Sequence, residues 1–107
     1  MDIKEILKTG KSLARTDLNS AIEFYEQIIK DETNIINWAK IRLEMAILFH
    51  SLGLCDEEIE AIKEIENIDF TLFDENFKYN FYKEKLYHYF NVNDLTVIFF
   101  LIRKWKK

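Results

Sequence analysis

The chain has 107 residues, of which 49% are hydrophobic, 15% aromatic and 32% charged. That is enough apolar material for one core-forming domain over 1–107 and too much for a disordered segment. A net charge of −4 with a pI near 5.2 argues against a nucleic-acid binder that works by bulk electrostatics. The single cysteine, Cys55, rules out an internal disulfide and points to a reducing cytoplasm.

The N-terminus has no uninterrupted apolar core of a signal peptide. The longest apolar run, Val97 to Ile102, falls far short of the roughly 20 residues that span a bilayer. A soluble cytoplasmic protein is expected. No proline and only two glycines leave little of the punctuation an all-β domain needs, so the expected class is all-α.

Asp2 to Arg15 places Ile3, Ile6, Leu7, Leu13 and Ala14 on one helical face and Lys4, Lys8 and Lys11 on the other, with Gly10 weakening the middle. A second helix is predicted from a cap at Asp17 or Asn19 to about Asp31. The third starts near Asn34 or Asn37 and is apolar on more than one side through Phe49, which predicts burial between neighbours. Gly53 stands where a helix end wants positive φ, and Asp56 is read as the cap of a fourth helix carrying Ile59, Ile62, Ile65 and Ile68 inward. Thr71 to Asp74 reads as a capping box with the shorter acid, opening an aromatic fifth helix to Tyr89 or Phe90. After a turn at Asn91 to Asp94, Leu95 to Trp105 is predicted to be a sixth helix with a cationic last turn.

Six alternating helices invite a search for repetition, and a spacing of 37 superposes the even-numbered ones. Asn19, Asp56 and Asn93 fall together at the expected caps, as do Tyr25, Ile62 and Phe99, and Ile28, Ile65 and Ile102. The odd-numbered helices follow in part, with Met45 over Tyr82, Phe49 over Leu86 and Asn34 over Thr71.

In the central unit, Met45-Ala46, Phe49 and Gly53 through Glu60 follow the rhythm of a helix-turn-helix repeat, and Asn19 to Tyr25 with Asn34 match its second half in the first unit. On these residues the chain resembles the tetratricopeptide repeat family, whose period is about 34. It departs at Arg42 (a large aromatic in the family), at Glu58 (a small packing residue), at Thr33 and Phe70 (the closing proline) and at Lys83-Glu84 (Leu-Gly). The resemblance implies about six antiparallel helices as three hairpins stacked in a right-handed solenoid. A plain helical bundle is the alternative.

The family lines a concave groove with the first helix of each hairpin. Carried onto this chain, that selects Lys40, Leu43, Glu44, Ile47 and His50 in the middle unit. In the last unit it selects Phe77, Asn80, Phe81, Glu84, Tyr87 and His88. An apolar floor with aromatics and a few charges suits a peptide, a partner helix or a protein surface. The predicted last helix is apolar around nearly its whole circumference, so Phe99, Phe100, Arg103 and Trp105 are an alternative interface with a second copy or a partner.

Chemical motifs are scarce: no phosphate-binding glycine loop, no paired cysteines and no nucleophile beside a histidine in a recognisable order. His50 and His88 without a third ligand do not make a metal site, so no catalytic residue, metal or cofactor is expected. Arg42 and His50 share a helix as in small HEPN-type ribonucleases, but seven residues intervene and Leu43 follows the arginine. From Asp56 to Glu75 there are nine acids and one lysine, Lys63, so one region is strongly acidic while both termini are basic. The expected function is non-enzymatic protein binding, as an adaptor or inhibitor and in the style of a phage or mobile-element accessory protein. A self-assembling structural protein or a HEPN-like ribonuclease are the alternatives.

Overall fold

The computed structural model describes residues 2–91, and these are all-helical, with no strand among them. Five α-helices follow in order: α1 (Ile3–Thr16), α2 (Leu18–Ile29), α3 (Ile35–Ser51), α4 (Cys55–Glu66) and α5 (Glu75–Asn91), with a 3₁₀ turn over Phe70–Leu72 before the last. None is long and apolar enough to cross a membrane. The expected sixth helix and the residues Phe99, Phe100, Arg103 and Trp105 lie outside the described residues.

Local chemistry sets most boundaries. Asp2 accepts from the Glu5 amide and Asn34 from the amides of Ile36 and Asn37, each satisfying first-turn donors that the helix itself leaves open. Asp17 closes α1 and caps α2 from one extended residue, so these helices meet at a sharp corner. The α3–α4 turn is a Schellman motif: Leu54 N–H donates to the Phe49 carbonyl and Gly53 N–H to the His50 carbonyl, with Gly53 at φ 73° as the sequence predicts.

Two caps differ from expectation. Asp56 lies inside the first turn of α4, and the cap position is Leu54, whose side chain offers no acceptor. The acids of that turn instead stabilise the helix through its dipole. Asp74, read as the reciprocal acid of a capping box, is the N-cap of α5 itself, accepting from the Phe77 amide at 2.8 Å. The sequence before it is taken up by the 3₁₀ turn, in which Asp69 accepts from both the amide and the hydroxyl of Thr71.

The spacing of 37 holds for α2 and α4 at both ends, Leu18 to Cys55 and Ile29 to Glu66. Helices α3 and α5 are both 17 residues long but displaced by 40, because the link before α5 is longer by the three residues of the 3₁₀ turn. Thus Asn34 corresponds to Asp74 rather than to Thr71.

Two apolar clusters hold the helices together. Ile6, Ala21, Ile22, Tyr25, Ile41, Met45, Leu48 and Phe49 pack α1, α2 and one side of α3. Ala39 and Leu43 from the other side of α3 join Ile62, Ile65, Phe73, Phe77 and Phe81. Helix α3 feeds both clusters, which is why its sequence is apolar all round.

Gly10 has a packing role that its sequence position does not announce. It is buried in α1 where the Tyr25 ring crosses the helix, and Tyr25 Oη donates to the Leu7 carbonyl at 3.4 Å. The missing side chain makes room for an aromatic.

Candidate functional site

Helices α1, α3 and α5 line an open trough made of two adjoining cavities. One, of about 200 Å³, is bounded by Leu7 and Lys11 of α1, Lys40, Leu43 and Glu44 of α3, and Asn76, Phe77 and Asn80 of α5. The other, of about 500 Å³, runs on from Lys11, Leu43, Glu44 and Asn80 past Ile47 to Ser51, Lys83 and Glu84. Helical spacing explains the lining, since Lys40, Leu43, Glu44 and Ile47 follow the three-and-four rhythm of one face.

Seven of the residues selected from sequence line this trough: Lys40, Leu43, Glu44, Ile47, Phe77, Asn80 and Glu84. Tyr87 is 49% exposed, with its ring 6.3 Å from that of His50, beyond the Glu84 end. Phe81 and His88 are corrections. Phe81 has 0% exposure and belongs to the second core cluster, and His88 is buried against α4. Neither offers a partner any surface, because α5 turns that side toward α3 and α4. The α1 wall, with Leu7, Lys11 and Ala14, escaped the sequence reading, which carried the groove only over the middle and last units. Lys11 lies 3.8 Å from Glu44 across the trough, and burial raises the Glu44 pKa despite that lysine.

At the Glu84 end stands a polar cluster that joins three helices. Glu58 of α4 has 0% exposure, and each of its oxygens meets an imidazole: Oε2 lies 2.9 Å from His50 Nδ1 and Oε1 2.8 Å from His88 Nδ1. Glu84 of α5 is 4% exposed, and its Oε2 has no hydrogen-bond partner among the described residues. It lies 3.7 Å from His50 Nδ1, too far for a hydrogen bond. Glu58 is visible in the sequence as the acid standing where the resembled repeat has a small packing residue. Its partners are not, because His88 follows it by 30 positions.

Burial, then the adjacent Glu58 carboxylate, push the Glu84 pKa up to about 9, with Glu44 adding to the rise and Lys83 opposing it. His50 also faces it, 3.7 Å away, and His88 holds the neighbouring Glu58. Below the unfolded value near 4.5 both states carry the proton and the shift has no effect on stability. As pH rises from there towards 9 the unfolded chain ionises while the fold resists, so stability is lost. Glu84→Gln fixes the neutral form. It is expected to stabilise the protein by on the order of 1 kcal/mol at pH 8, with the gap closing near pH 4. Urea unfolding at both pH values, with a chelator to keep cations off the carboxylates, measures this; a parent as stable as the variant at pH 8 would contradict it.

Arg42 and His50 take separate partners. Arg42 pairs with Glu64 of α4 at 2.9 Å, while His50 turns to Glu58. Compared with known proteins, the chain matches no family model, no curated protein and no solved structure.

Proposed function

We propose that the protein is a non-enzymatic binding module, an adaptor or inhibitor that takes a peptide, helix or protein surface into the trough between α1, α3 and α5. The observation that carries this reading is the trough itself. Helices α1, α3 and α5 contribute one wall each, and the lining mixes apolar side chains (Leu7, Leu43, Ile47 and Phe77) with Lys11, Lys40, Glu44 and Asn80. Apolar floors with a polar rim are what amphipathic segments dock into. The equal lengths and 37-residue displacement of α2 and α4 support a divergent tetratricopeptide-like stacking, in which leading helices share a concave face.

The test uses half-buried residues of the trough and leaves Leu43, which also packs in the core, intact. Partners recovered from the host by the wild type are expected to fall at least about tenfold with Ile47→Arg combined with Asn80→Arg, the equivalent of about 1.4 kcal/mol. Unchanged helicity by circular dichroism would show that the variant is folded. Equal recovery by both proteins would remove the trough as the binding surface.

A further inference from the structure

We infer that His50, Glu58 and Glu84 form a site for one divalent first-row transition-metal ion of the zinc class, at the Glu84 end of the trough. Three observations carry this independently of the binding reading. The donor atoms of these residues all lie within 4.8 Å of one another, converging from α3, α4 and α5. Ligands that each sit about 2.0–2.2 Å from an ion are themselves roughly 3–4 Å apart. The 2.9 Å and 3.7 Å separations from His50 Nδ1 to the two carboxylates are close to that range.

The second observation is Glu84 Oε2, a buried oxygen with no hydrogen-bond partner among the described residues, 3.7 Å from His50 Nδ1. A polar oxygen buried without a partner costs stability, and a metal ion that displaces the carboxyl proton to solvent would supply one. Lys83 is the next residue along α5 but makes no ion pair with it among the described residues. A cation between the three donors supplies the missing partner and also separates the two carboxylates electrostatically.

The third is the surroundings. His88 Nδ1 holds Glu58 Oε1, which leaves Oε2 to face His50 and orients the carboxylate, as supporting partners do around metal ligands. Access exists as well: Glu84 lines the larger cavity, and the His50 side chain is 30% exposed. One imidazole nitrogen with two carboxylates suits Zn²⁺, Co²⁺ or Mn²⁺ better than an all-oxygen Ca²⁺ site. His88 is a positioning residue in this site and not a ligand.

Titration calorimetry of the full chain with ZnCl₂, and the visible ligand-field bands of CoCl₂, test the inference. One ion per chain is expected, with tetrahedral-type Co²⁺ absorption and a rise in wild-type Tm on adding Zn²⁺. His50→Ala and Glu84→Gln should each weaken binding at least about tenfold and abolish the Co²⁺ bands, and His88→Ala should weaken it by about 10–100-fold. Glu57→Ala and Glu60→Ala, which remove exposed acids of the same helix, should change nothing. Circular dichroism and thermal unfolding of Glu84→Gln without metal check that the variant is folded, so that its loss of binding cannot be put down to unfolding. Failure to bind either ion, or binding that survives both His50→Ala and Glu84→Gln, would overturn the assignment.

Discussion

Phe81→Ala is expected to destabilise the protein by about 4 kcal/mol, the range found when a fully buried phenylalanine is truncated and its site cannot collapse. Phe81 has 0% exposure and meets Phe70 edge-on at 5.1 Å and Tyr82 at 5.3 Å, inside the cluster that docks α5 on α3 and α4. Each kcal/mol shifts Tm by roughly 4–8 °C in a domain of this size, so much of the native population should be lost near body temperature. Leu72→Ala, at a position 48% exposed, should stay within about 0.5 kcal/mol. Thermal or urea unfolding of both variants gives the comparison. Equal and small effects would mean that α5 is not held by this face.

The second large effect runs against helix propensity. Gly10→Ala in the middle of a helix should gain up to about 1 kcal/mol if only the backbone mattered. Here a Cβ would overlap Tyr25 Cζ and Oη and come within 2.6 Å of Cε1, on a ring that is 1% exposed and has nowhere to go. Overpacking of this kind costs about 1–3 kcal/mol, and the Tyr25 hydrogen bond to Leu7 is strained as well. A net loss of about 2 kcal/mol is expected. Combining Gly10→Ala with Tyr25→Leu should cost less than the sum of the two single changes, because the smaller side chain relieves the overlap. Stabilisation by Gly10→Ala alone would show that the ring does not cross α1 there.

These two residues also mark what the sequence could and could not convey. Periodicity and end signals located α1 to α4 to within a few residues, since Asp2, Asp17, Asn34 and Gly53 act through neighbours only two to four positions away. The cap of α5 was misplaced because Thr71 looks like a cap locally, while the chain spends those residues on a 3₁₀ turn. Gly10 looked like a weak point because its justification, Tyr25, lies on another helix. The trough lining on α3 followed from one face of one helix. Phe81 and His88 were misassigned because α5 carries aromatics on every side and offers no polar face to show which way it points. The Glu58 cluster joins residues as distant in sequence as His50 and His88, and no local pattern encodes that meeting.

Glu58 has one more consequence, for the mechanics of the trough. A single carboxylate clasps an imidazole from α3 and another from α5, so the two walls it links are pinned at a fixed aperture at that end. The α1 wall is held by its apolar packing on α2 and α3, and the ion pair it makes across the opening, whose lysine is largely in water, adds little. In the binding proposed above, a guest would meet an aperture set by α3 and α5. A guest bound as proposed would find the opening between these two walls already near its final width, with little conformational entropy left to lose there.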